Sequence, residues 1–122
     1  MSILVSDQDK ALAFYTNLLG FVKKIEIPMG GHRWLTVVSK EAPDGVQLVL
    51  EPMAFAPART YQQALYEAGI PLAVFNVTDI QKEYERLLGL GVRFSMQPTK
   101  MGPATIAVLD DTCGNNIQLL EV

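Results

Sequence analysis

The sequence is poor in the residues that several function classes depend on. It has one cysteine, one histidine and one tryptophan in 122 residues. A lone Cys113 excludes an internal disulfide and fits a reducing compartment. A catalytic thiol would want a base beside it, and the sole histidine, His32, lies far off in sequence, so Cys113 is not read as a nucleophile. Basic residues are also scarce: 10 Lys and Arg against 13 Asp and Glu give a net charge of −3. Nucleic acid is therefore not an expected partner, since phosphate binding needs a basic face. Lys23-Lys24, the only basic pair, reads as a solvated strand edge. No apolar run approaches a membrane span, and no basic segment followed by an apolar core opens the chain. The expectation is a cytoplasmic protein with no membrane association.

What is present is a repeat. Ser6 to Phe21 carries Ala11, Phe14, Tyr15, Leu18 and Leu19 on one helical stripe. Ser6 and Asp9 have capping-box spacing in front of it, and Gly20 stops it. Thr78 to Phe94 repeats the pattern. Thr78 and Gln81 have the same capping spacing, Asp79 matches Asp7 and Lys82 matches Lys10, all at an offset of 72. Tyr84, Leu87 and Leu88 repeat the stripe, and Gly91 answers Gly20 at 71, as though the second helix were one residue shorter. Val46-Gln47-Leu48 and Ile117-Gln118-Leu119 close the two halves, again 71 apart. Two copies of so long a period indicate a duplicated module and not a solenoid.

Each copy reads β-α-β-β-β. In the first, strands are expected at Met1 to Val5, Val22 to Ile27, His32 to Ser39 and Val46 to Glu51, with a turn at Pro28-Met29-Gly30-Gly31. In the second they are expected at Ile70 to Val77, Val92 to Met96, Ala104 to Leu109 and Asn116 to Glu121, with a turn at Gln97 to Gly102. The fold class expected is α+β, with the two modules pairing into a cupped, mostly antiparallel sheet. By length and composition the chain reads as a single domain. It consists of modules 1–51 and 70–122, joined by a linker over 52–69 in which Thr60 to Ala68 could make a short helix.

Strand alternation sorts the side chains. Val46, Leu48 and Leu50 are expected under the first helix, and Gln47, Val49 and Glu51 on the other face. Leu35 and Val37 pair with Ile106 and Val108 on the helix side, leaving Trp34, Thr36, Thr105 and Ala107 opposite. Ile3 and Val5 match Phe75 and Val77 as core, with Ser2, Leu4, Val74 and Asn76 opposite. The candidate ligand-binding residues are thus Trp34, Thr36, Gln47, Asn76, Thr105 and Gln118. An aromatic ring among amides and hydroxyls suits a small-molecule pocket; a solvated or protein-facing sheet has the same composition. If the alternation is one residue off, Trp34 belongs under the first helix.

The two modules, with Val5-Ser6-Asp7, Ala13-Phe14-Tyr15 and Leu18-Leu19-Gly20-Phe21, resemble the vicinal oxygen chelate superfamily of glyoxalases, bleomycin-resistance proteins and extradiol dioxygenases. Asp110-Asp111-Thr112-Cys113-Gly114-Asn115 is similar to that family's turn F-x-D-P-x-G-N, with Thr where Pro is usual. The resemblance implies a cavity cupped between sheets and a homodimer. It also implies four divalent-metal positions. Here they fall immediately before Met1 and on Gln47, Leu72 and Gln118, where the family's enzymes carry Glu, Gln or His. Two amides and a leucine leave no negative charge for a cation, so no metal and no cofactor are expected. His32 and Glu51 lie outside the ligand pattern. The resemblance supports a small-molecule binder of the bleomycin-resistance kind. A lyase, isomerase or dioxygenase of the glyoxalase type with an atypical site is the alternative.

Overall fold

The computed structural model describes residues 1–122. In chain order the elements are β1 (Ser2–Val5), α1 (Gln8–Ala13) continuing into a π-helical turn (Phe14–Leu18), β2 (Phe21–Met29), β3 (His32–Ser39) and β4 (Leu48–Pro52). After α2 (Ala56–Glu67) come β5 (Ala73–Asn76), α3 (Ile80–Gly89), β6 (Phe94–Met101), β7 (Ala104–Asp110) and β8 (Asn116–Glu121). Two four-stranded sheets result, ordered β1-β4-β3-β2 and β5-β8-β7-β6. In each, the first strand runs parallel to the last and the remaining pairs are antiparallel. No helix is long and apolar enough to cross a membrane.

The two repeated helices, α1 and α3, both start on an aspartate. Asp7 Oδ1 accepts from the Lys10 N–H and Asp79 Oδ1 from the Lys82 N–H, each at 3.1 Å. The expected capping boxes on Ser6 and Thr78 are therefore displaced by one residue, and the offset of 72 is kept. A carboxylate suits this position because it accepts a free N–H and faces the positive end of the helix. The one-residue length difference between the helices is also located. Leu19 N–H reaches back to Phe14 C=O at 3.2 Å, an i to i−5 bond. The first helix thus holds its extra residue in a π-turn, whereas α3 is α-helical throughout.

The apolar side chains of both halves form one cluster. Ile3, Val5, Tyr15, Leu35, Val37 and Leu50 from the first half are completely buried with Leu87, Ala107, Leu109 and Ile117 from the second. Tyr15 and Phe21 both stack edge-on or tilted against neighbours that include Phe75. Burying such side chains contributes on the order of 1.5–3 kcal/mol each.

A polar joint crosses the same boundary. Asp111 is completely buried. Its carboxylate accepts from Tyr15 Oη at 2.6 Å, from Asn115 Nδ2 at 2.8 Å and from the backbone N–H groups of Cys113 and Asn115. Asn115 Nδ2 and Gln62 Nε2 both donate to Leu4 C=O at 2.8 Å, and Gln62 Nε2 also reaches Asn115 Oδ1. α2 is longer than the helix expected from Thr60 to Ala68, and its buried residue is this glutamine. Thr112 sits at φ +63° in the turn, a left-handed conformation that proline cannot adopt.

The register corrects one part of the expected facing. Leu109 pairs with Ile117, Ala107 with Leu119 and Thr105 with Glu121. The buried, helix-side residues of β7 are therefore Ala107 and Leu109, not the Ile106 and Val108 expected to match Leu35 and Val37. The offset in this strand is 72 and not 71. A slip of one residue turns every side chain of a strand to its other face.

Candidate functional site: the open sheet faces

In β3 the expected facing holds. Leu35 and Val37 are completely buried beneath α1, while Trp34 keeps 44 % of its surface exposed on the opposite side. Thr36 pairs with Val49 and Ser2 also pairs with Val49, so these share the face that carries Trp34. β2 adds Ile27 opposite Trp34 and Ile25 opposite Thr36. Ile27, Trp34 and Val22 are all among the exposed large apolar side chains.

β4 begins at Leu48, so Gln47 lies just ahead of the strand and Val46 is exposed instead of packed under the helix. The Gln47 side chain is still fixed: Thr36 Oγ1 donates to its Oε1 at 2.9 Å, and Thr36 Oγ1 itself accepts from the Ile25 N–H. This holds the amide so that its Nε2 donors are turned from the threonine. Glu51 lies on the same face and accepts from Ser2 Oγ at 3.0 Å.

β3 and β4 separate at one end, and a side chain fills the gap. Gln8 Nε2 donates to Arg33 C=O and Leu50 C=O at 2.8 and 2.9 Å, and Gln8 Oε1 accepts from the Arg33 N–H. The amide stands in for the missing ladder bonds, which would otherwise be buried and unpaired.

In the second sheet Val74 pairs with Gln118 and Asn76 with Leu120, placing Asn76 and Gln118 on one face. Val108 pairs with Gln118 and joins them. Thr105 does not. It lies opposite Glu121, whose carboxylate accepts from the Ile80 N–H at the start of α3, so Thr105 belongs to the helix side and leaves the candidate set on geometric grounds. The six candidates therefore split: Trp34, Thr36 and Gln47 lie together on one sheet, and Asn76 and Gln118 on the other. Among the three main cavities only one, of about 580 Å³ beside Val74, Phe21 and Arg86, contains any of the six, namely Asn76. Within a single chain these faces are only partly open: Trp34 and Asn76 are exposed and Gln47 and Gln118 half-buried, but Thr36 is completely buried and acts by anchoring Gln47.

The metal positions can be tested on their donors. Gln47 and Gln118 offer neutral amides, and Leu72 packs against the core. No cluster of three His, Cys, Asp or Glu side chains stands anywhere in the chain. Such a donor set does not fit a divalent ion, which takes carboxylate or imidazole ligands. Cys113 is buried, and burial pushes its thiol up to about 11, opposite to the shift a nucleophile needs.

Two β-α-β-β-β sheets, each with helices on one side and an amide-bearing open face on the other, define a duplicated, cup-forming class of α+β protein. The fold allows a finer statement. The chain belongs to the Glyoxalase/Bleomycin resistance protein/Dioxygenase superfamily, whose model matches residues 1–119. It is 54 % identical to the protein YurT of Bacillus subtilis (strain 168) over 120 residues, covering 98 % of this chain and 94 % of that one. Among solved structures, UcmS2 superposes with a TM-score of 0.83 at 34 % identity, over 98 % of this chain and 93 % of that one. TnmS3, described as an antibiotic binding protein from Streptomyces sp. CB03234, superposes at 0.76 with 29 % identity, over 99 % and 91 %.

Proposed function

We propose that the chain binds a small, flat organic molecule on its open sheet faces, without a metal, and that two copies close the site. The observation that carries this reading is Trp34, the only tryptophan, 44 % exposed on a face shared with Ile27, Thr36 and the anchored Gln47. An exposed aromatic ring bordered by apolar residues and a few fixed polar groups is the composition of a ligand wall. Trp34 supplies stacking area, and Gln47 supplies donors. Asn76 and Gln118 supply amides from the second face. Glu51 gives a donor-bearing ligand an acceptor. The likeness to an antibiotic binding protein supports a ligand of that size and character.

The open apolar edges favour association, since Val22, Ile27 and Met29 of β2 and Trp34 of β3 have no cover in one chain. A homodimer placing one copy's Trp34 face against another copy's Gln118 face would make a cavity from two open surfaces. The single buried thiol suits a cytoplasmic setting.

The test is fluorescence. Planar aromatic antibiotics should quench or shift the Trp34 emission, and Trp34→Ala should remove their binding while the far-ultraviolet circular dichroism stays unchanged. A large loss of stability in Trp34→Ala with binding retained would overturn the assignment.

A further inference from the structure

A second cavity, of about 440 Å³, opens where β3, β4, the end of β1 and α2 meet; Ser6, His32, Pro52, Met53, Arg59 and Gln62 line it, and Trp34 does not. It adjoins the place where β3 and β4 part around Gln8, because His32 and Pro52 also border the neighbouring groove on the α1 side. Two features distinguish it from surface roughness.

The first is Gln62. This side chain is 93 % buried, and its Nε2 is committed to Leu4 C=O, Cys113 C=O and Asn115 Oδ1. Those three acceptors fix which end of the amide is nitrogen. Its Oε1 accepts no hydrogen bond in the chain, and it is not sealed off, because no buried side-chain oxygen or nitrogen is without a partner. An amide oxygen left without a partner, on a side chain that lines a cavity, is free to accept from whatever occupies that cavity.

The second is charge. Arg59 lies one turn before Gln62 on α2, so both present to one side of the helix. One of its donors holds Met53 C=O at 3.1 Å, and it forms no salt bridge. The acidic side chains of the adjoining groove are engaged: Asp7 caps α1 and Asp9 pairs with Arg33. The cavity wall itself holds no carboxylate. On a chain of net charge −3, a cavity whose only full charge is an unpaired guanidinium is an exception that favours an anion.

We infer that this cavity binds a small carboxylate that also carries a hydrogen-bond donor, such as a hydroxy acid. The carboxylate meets the Arg59 guanidinium, which suits planar oxyanions. The hydroxyl donates to Gln62 Oε1, with Ser6 Oγ and His32 completing the polar lining. None of the residues that line this cavity belongs to the sheet-face site.

The experiment is a titration of the isotope-labelled protein followed by NMR, with lactate, acetate, lactamide and inorganic phosphate as probes. Lactate should move the Arg59 and Gln62 side-chain resonances and bind more tightly than acetate, which lacks the donor, and than lactamide, which lacks the charge. Arg59→Gln should weaken lactate about tenfold or more, the worth of a charged hydrogen bond. The Trp34 indole resonance should stay still, and Trp34→Ala should bind lactate normally whether or not the sheet faces hold a ligand. Equal binding of lactamide, tighter binding of phosphate, an unaffected Arg59→Gln variant, or shifts centred on Trp34 would each overturn the inference.

Discussion

Tyr15 and Asp111 show how much can rest on two side chains. The tyrosine hydroxyl donates at 2.6 Å to a carboxylate with no solvent exposure, and burial together with that carboxylate raises the tyrosine pKa far above its ordinary value. Tyr15→Phe keeps the ring packing and takes one donor from a buried acceptor. It should cost about 1–3 kcal/mol in a denaturant melt. Burial pushes the Asp111 carboxyl above its usual range, against the pull of Tyr15, Asn115 and two backbone N–H groups. The folded state therefore holds this proton more tightly than the unfolded state. The associated stability is present in full below the unfolded pKa and is lost as pH rises through the raised folded pKa. Melts across the mildly acidic range should show this loss, and Asp111→Asn, though less stable overall, should flatten it. Trp34 is the contrasting case. Alternation placed it opposite Leu35 and Val37 but left a one-residue slip open; the complete burial of Leu35 and Val37 chooses the exposed side.

At the scale of elements, both helix starts were legible as caps but assigned one residue early. Ser6 and Asp7 are both good capping residues, and only the path of the entering chain chooses between them. Ser6 is drawn aside by its backbone bond to Cys113 C=O. Asp79→Ala should lower stability by about 1 kcal/mol, the usual worth of such a cap, and thermal melts of the variant measure it. The β7 facing was misread because the repeat offset alternates between 71 and 72 along the chain. Without a second signal, one residue of error inverts a strand, and Thr105 went with it. Gln62 carried no signal of its own: one of two adjacent glutamines in a helix reads as solvated, and only the turn brought beside it from the other end of the chain buries it. Gly114 shows how close that approach is, since a Cβ there would stand 2.9 Å from the Gln62 amide.

For the whole molecule, a core shared by both halves makes them one cooperative unit in our reading, with the duplicated order of elements legible because caps, stripe and closing strand repeat together. The open sheet faces set the solution behaviour. Light scattering at micromolar concentration should report a dimer, and elemental analysis of that dimer should find no stoichiometric nickel, zinc, manganese or iron. About one tightly held metal per chain, lost in Gln47→Ala or Gln118→Ala, would return the chain to the metal-dependent chemistry of its superfamily. The association is argued from uncovered apolar strands and the metal result from donor chemistry, so each can fail alone.

The π-turn at Phe14–Leu18 also marks where the two halves cease to match. A helix whose front is pinned by Asp7 and whose end is released at Gly20 has no slack along its axis, so one residue more than α3 holds must bulge sideways. The other helix, with the same cap and a matching terminal glycine, has no bulge. Tyr15 lies inside the bulge, and its counterpart at an offset of 72, Leu87, is buried but can make no bond to a carboxylate. The joint between the halves rests on a side chain that only one of them carries.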